Sequence, residues 1–147
     1  MKKMYLLSVF LLSVLWANAQ VDVEISPLPL IFKVYTLSVE VPAAKKLGIN
    51  GDVYFTPGFS IIIDKGYIAN LSFKYYFNPK GKIDRFHVGS FMGTGSELNL
   101  ALGALIGYKF VSRKNIIFEI GFGLGQDLIK KVEAVTVYGK FHIGYRF

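Results

Sequence analysis

The final stretch of the chain alternates without a break, and this constrains the fold more than any other feature. Val135, Val137, Gly139, Phe141, Ile143, Tyr145 and Phe147 share one parity; Thr136, Tyr138, Lys140, His142, Gly144 and Arg146 share the other. Strand side chains point to opposite faces with period two, so this segment has one apolar, aromatic face and one polar face. A helix would scatter both sets around its circumference. The pattern repeats upstream. Ile116, Phe118, Ile120, Phe122 and Leu124 oppose Ile117, Glu119, Gly121, Gly123 and Gly125, and Leu98, Leu100, Leu102, Ala104, Ile106, Tyr108 and Phe110 oppose Glu97, Asn99, Ala101, Gly103, Leu105, Gly107 and Lys109.

Tyr67, Ala69, Leu71, Phe73, Tyr75 and Phe77 alternate in the same way, as do Tyr35, Leu37, Val39 and Val41. Residues 85 to 92 form a shorter strand whose faces the pattern does not assign. Residues 46 to 64 divide into two strands near Thr56-Pro57-Gly58, because proline cannot donate to a ladder and Pro-Gly favours a turn. Turn-forming residues punctuate the rest at 42–46, 64–66, 78–82, 93–96, 112–115 and 127–133. The expectation is an all-β chain of about eight strands, at 30–41, 46–55, 58–64, 66–77, 84–93, 97–110, 115–126 and 134–147.

Before this pattern starts, Lys2 and Lys3 precede an apolar run from Met4 to Trp16 and then Ala17-Asn18-Ala19. That build predicts a secretory signal over residues 1–19, followed by a single domain over 20–147. The run is shorter than the roughly 20 residues that a spanning helix needs. The alternative is an uncleaved anchor. With no cysteine in the chain, a lipid-modified cysteine, a disulfide framework and a thiol nucleophile are all excluded. The 52% hydrophobic and 16% aromatic content exceeds that of an average soluble domain, yet no later stretch suits a membrane helix. The apolar residues must line either an ordinary core or the outside of a barrel.

The polar faces favour the barrel. They are mostly small or glycine, with single charges at Glu40, Lys74, Lys109, Glu119, Lys140 and Arg146, as suits a narrow lumen. Tyr75 with Phe77, Tyr108 with Phe110, and Tyr145 with Phe147 fall beside turns or the C-terminus that eight-strand counting puts on one membrane side, where an aromatic girdle would lie. The fold class expected is therefore an antiparallel up-and-down transmembrane β-barrel in a bacterial outer membrane. The six charged residues are expected to form an ionic network plugging the lumen, with Glu119 opposite Lys140 or His142 and Glu40 brought beside the last strand by closure.

The ending Phe141-His142-Ile143-Gly144-Tyr145-Arg146-Phe147 resembles the C-terminal strand of bacterial outer-membrane proteins. The resemblance implies that Phe141, Ile143, Tyr145 and Phe147 are read by the barrel-assembly machinery. The mature chain also resembles small eight-stranded barrels of the OmpX and OmpA transmembrane-domain type, and glycine- and tyrosine-rich envelope proteins that begin with Asn/Ser-Pro and end in Gly-Tyr-Arg-Phe. Ser26-Pro27 and Gly144-Tyr145-Arg146-Phe147 are the matching positions. The short outer loops depart from adhesion-type members.

Enzyme motifs do not emerge. There is no Gly-x-Ser-x-Gly elbow, His-Glu-x-x-His helix or phosphate loop. Gly121-Phe122-Gly123-Leu124-Gly125 lies inside an alternating strand and reads as room for large neighbours rather than a nucleotide loop. His87 and His142 lie far apart, without a companion carboxylate evident from sequence. The reading is a non-enzymatic structural or interaction barrel, with no catalytic residue, cofactor or metal, partnered by outer-membrane lipid and the assembly machinery. The alternative is a binder of lipid or a small hydrophobic ligand, either a membrane barrel enzyme or a lipocalin-like carrier. A narrow solute pore is disfavoured by strand number. Basic pairs at Lys45-Lys46, Lys80 with Lys82, Arg113-Lys114 and Lys130-Lys131 sit in turns; they suit anionic headgroups or water, and form no stripe for nucleic acid.

Overall fold

Alternating segments joined by short polar turns pair with their sequence neighbours, and a sheet of eight such strands can close on itself. A computed structural model of the chain describes residues 20–57, 66–80, 83–96, 100–128 and 135–147. Within them are eight strands: β1 (Asp22–Ile25), β2 (Tyr35–Ala44), β3 (Leu47–Thr56), β4 (Gly66–Tyr76), β5 (Arg85–Gly95), β6 (Ala101–Val111), β7 (Ile116–Asp127) and β8 (Val135–Arg146). One short helix, α1 (Pro27–Leu30), follows β1. Each strand pairs antiparallel with the next, and β1 pairs with β8, so the sheet is a closed up-and-down barrel.

The strands differ from the sequence expectation most at the start of the barrel, and β2 and β5 also run on into the expected turns, to Ala44 and Gly95. The first strand is β1, not a segment starting at residue 30, and α1 with the turn after it occupies 27–33. β1 was missed because it has only four residues, too few for a period to stand out. The expected strand at 58–64 and the expected signal at 1–19 lie outside the described residues. β1 stands between β2 and β8, with Asp22 opposite both Glu40 and Arg146. Glu40 is therefore one strand further from the C-terminal strand than the sequence reading placed it.

Local chemistry accounts for the turns. The Ser112 hydroxyl accepts from the amides of Lys114 (3.2 Å) and Ile116 (3.1 Å), and Asn115 adopts a positive φ of 61° that asparagine tolerates. Pro42, lacking an N–H, sits where the β2–β3 register slips before Ala44. Both Val21 and Phe147 lie at one end of the barrel and exchange backbone hydrogen bonds of 3.3 and 2.9 Å. This terminal end also carries residues 45–46, 77–80, 83–84 and 112–115, so Lys45, Lys46, Lys80, Arg113 and Lys114 gather there, all exposed.

The barrel is inverted relative to a soluble domain. Outward positions hold exposed Leu37, Phe73, Met92, Ile106, Phe118, Phe122 and Phe141, among many others, whereas the buried set is dominated by polar and charged residues. Residues 85 to 92 obey the same parity: Phe86 and Met92 face out, and His87 and Phe91 face in. At the terminal end Tyr75, Phe77, Phe86, Tyr108, Phe110, Phe118, Tyr145 and Phe147 are exposed on the last turns of β4 to β8, with Phe77 packed against Tyr75 (5.1 Å) and Phe86 (5.6 Å). A smaller aromatic row, Tyr35, Phe55 and Tyr67, runs across β2, β3 and β4 at the opposite end.

Candidate functional site: a charged lumen

Every strand sends at least one polar side chain to a common centre. β1 supplies Asp22 and Glu24, β2 Ser38 and Glu40, β3 Asn50 and Asp52, β4 Lys74, β5 His87, β6 Lys109, β7 Glu119, and β8 Lys140, His142 and Arg146. All are buried. Their placement follows from parity, because each strand that turns its apolar side outward must turn the alternate residues inward.

Three ammonium groups organise the centre. Lys109 Nζ lies 2.6 Å from Glu40, 2.9 Å from Glu24, 3.0 Å from Asp22 and 3.2 Å from Glu119. Lys74 bridges Glu119 (2.6 Å) and Glu40 (2.8 Å). Lys140 lies 3.4 Å from both Asp52 and Glu119, and donates to Asn50 Oδ1 (2.8 Å) and Ser38 Oγ (3.2 Å). The Tyr76 hydroxyl donates to Glu40 (2.6 Å) and that of Tyr138 to Asp52 (2.6 Å). Arg146 stands nearer the terminal end, donating twice to Asp22 (2.8 and 2.9 Å) and once to the Ile83 carbonyl (2.7 Å). Five carboxylates thus face four permanent cations, with two histidines among them. An ion taken from water into such a site costs several kcal/mol unless paired, and here the pairing is dense.

Of the residues singled out from sequence, Glu40, Lys74, Lys109, Glu119 and Lys140 meet in one cluster. Arg146 joins it through Asp22, which also touches Lys109. Glu119 is in register with His142, while Lys140 reaches it from the next inward position. Sequence reasoning missed Asp22, Glu24, Asn50, Asp52, Tyr76 and Tyr138. For Asp22 and Glu24 the one sequence signal is their alternation with Val21, Val23 and Ile25, over a run too short to mark a strand. The histidines do have carboxylate neighbours: His87 Nε2 is 3.4 Å from Glu119 and His142 Nδ1 is 3.7 Å from Glu24.

Carboxylate oxygens of Glu24, Glu40 and Glu119 lie within 4.8 Å of one another, a spacing suited to a metal ion. Lys109 contacts all three, so the position is taken by an ammonium group. Glycines make room around the cluster. A Cβ on Gly48 would collide with Glu40 Oε1, and one on Gly107 would sit 2.6 Å from His87 Nε2.

Away from the terminal end the ionic cluster meets an apolar floor. Phe91, Leu105 and Tyr138 form a buried cluster, with the Phe91 and Tyr138 rings stacked at 5.0 Å. The Phe91 ring fills space left by Gly103, Gly123 and Gly125; a Cβ on Gly125 would lie 2.9 Å from it and one on Gly123 3.1 Å. Gly123 and Gly125 thus make room for one aromatic ring, whereas a Cβ on Gly121 would lie 3.5 Å from Lys140 Cβ. The four C-terminal residues expected to be read during assembly, Phe141, Ile143, Tyr145 and Phe147, share the outward face, and Phe147 is 72% exposed.

Compared with protein-family models, with curated proteins and with solved structures, the chain gives no match.

Proposed function

We propose that this chain is a bacterial outer-membrane barrel with a structural or docking role, its lumen closed by the ionic cluster and the Phe91 floor, and with no chemistry of its own. The observation that carries this reading is the inversion of polarity. Apolar residues cover the outside of all eight strands, while charged residues are buried inside. Soluble monomers rarely expose contiguous apolar surface beyond a few hundred Å². In hydrocarbon the same surface costs nothing, and closure leaves strand edge unpaired only beside the short β1, where residues 26–34 complete the wall.

The aromatic residues at the terminal end support the reading, since amphipathic rings favour the headgroup boundary, and the exposed basic residues there suit anionic lipid. A lipocalin-like carrier needs the reverse arrangement, an apolar calyx beneath a polar exterior. Among the described residues no helix is long and apolar enough to cross a membrane, so any crossing would be by strands. The assembly role of the C-terminal strand and export by residues 1–19 belong to the same proposal.

Fractionation of expressing cells tests it. The protein should enter the outer-membrane fraction, require detergent for extraction and migrate faster on a gel before heating than after. Recovery as a soluble periplasmic protein would refute the reading.

A further inference from the structure

We propose that the barrel holds one hydrocarbon chain of a membrane lipid, admitted sideways through a doorway between β2 and β8 and lodged above the Phe91 floor. The proposal rests on the membrane reading above and adds a ligand site to it.

The doorway follows from the shortness of β1. β8 spans Val135–Arg146, but β1 pairs only with Ile143, Gly144, Tyr145 and Arg146. Among the described residues no strand pairs with 135–142 on that side. The wall is completed there by the segment at 26–34, tied by Ser26, whose hydroxyl donates to the Phe141 carbonyl (2.6 Å) and whose amide donates to Thr36 Oγ1 (2.6 Å). Tyr54 reaches across from β3 to donate to the Gly139 carbonyl at 3.4 Å. The segment at 26–34 leaves few backbone donors open without being a strand: Pro27 and Pro29 have no N–H, the Ser26 amide bonds Thr36, and the amides of Ile31, Phe32, Lys33 and Val34 bond within the segment.

Two cavities flank this segment. Inside is a chamber of about 370 Å³ lined by Phe32, Val34, Tyr54, Ile68, Phe91 and Tyr138. Outside is an open groove of about 700 Å³ between Phe86, Ile106, Tyr108, Ile120, Phe122 and Phe141. Leu28, Pro29 and Gly139 line both, so only these residues need to yield for the two spaces to join. Gly139 is on the outward face, and a Cβ placed there would meet nothing within 4 Å.

The chamber has the size of a small-ligand pocket, about 300 Å³ being the lower bound for such sites, and a lining that is mainly apolar and aromatic, with Asn70 and Thr136 its polar side chains besides the two tyrosines. Its doorway opens onto the surface that faces lipid, and its floor separates it from the ionic cluster. The ligand that this position selects is therefore apolar, thin enough to pass Gly139, and delivered by the bilayer: an acyl chain.

The test uses the full chain reconstituted in phosphatidylcholine vesicles containing a phosphatidylcholine with a photoreactive diazirine near the end of one acyl chain. Adducts are mapped by peptide mass spectrometry. Labelling is expected on inward Phe32, Tyr54 or Tyr138 as well as outward Phe118 and Phe122. Gly139→Phe should reduce the inward adducts at least tenfold and leave the outward ones unchanged. Gly51→Phe, at another outward glycine with no neighbour within 4 Å of its Cβ, should change neither. Adducts confined to outward residues in the wild type, or inward adducts that persist in Gly139→Phe, overturn the proposal while leaving the membrane reading intact. Loss of outward labelling in the wild type overturns both. If Gly139→Phe does not fold, the wild-type adduct map alone decides.

Discussion

The Lys109 ammonium lies 2.6 Å from the Glu40 carboxylate, and neither side chain has any solvent exposure. The two residues belong to β6 and β2, so this contact ties opposite sides of the barrel through its axis. Around it three further carboxylates converge on the same nitrogen. Lys109→Met leaves them facing one another without their shared cation, and should destabilise the barrel by about 3–5 kcal/mol. Urea titration of the refolded protein in vesicles measures this. Lys109→Met with Glu40→Gln should recover part of the loss, and a double variant no better than the single would place the effect outside the pair.

Outward substitutions separate a membrane barrel from a soluble one. Phe122 lies in the middle of β7 and is 51% exposed, whereas Phe147 is at the terminal end. Phe122→Arg should cost about 2–4 kcal/mol in vesicles and Phe147→Arg about 0–1 kcal/mol, because the penalty for a charge follows its depth in the bilayer. Equal, near-zero effects would fit a barrel surrounded by water.

Filling the lumen predicts electrical silence. Planar-bilayer recordings of the pure protein should show no large, stable conductance, and Phe91→Ala should remain closed because the ionic cluster lies below the floor intact. A steady open level in the wild type would contradict the closed lumen.

Arg146 fixes the seam. Its two hydrogen bonds to Asp22 hold β1 against β8, and lysine cannot reproduce that planar fork. Arg146→Lys should speed amide hydrogen exchange across Val23–Ile25 at least severalfold, with exchange in β6 and β7 little altered. Uniform acceleration in all strands would indicate general destabilisation instead.

Glycine spacing in β7 predicts a steric effect. Gly123→Val must displace the Phe91 ring, Leu105 Cβ at 3.1 Å and the Ala104 carbonyl at 2.8 Å, and should cost about 1–3 kcal/mol or block folding. Gly51→Ala, which meets nothing, should be near neutral by the same urea titration.

Alternation along the chain assigns the face that each long strand presents. Phe118, Ile120, Phe122 and Leu124 had to share a side once β7 was extended, because the alternation is a property of one strand's own backbone. The same local rule sent Lys74, Lys109, Glu119 and Lys140 to the opposite face, and the turn residues set the antiparallel order. What those inward residues meet is set by the folded barrel. Lys109 is 87 residues from Asp22 and 69 from Glu40, and no local pattern encodes such separations. They arise from closure, which depends on β1, a strand too short to announce itself and yet the one that brings two carboxylates to the centre and leaves a doorway beside β8. Periodicity assigns faces because it is local; it cannot assign partners, because these are set by how the sheet shuts.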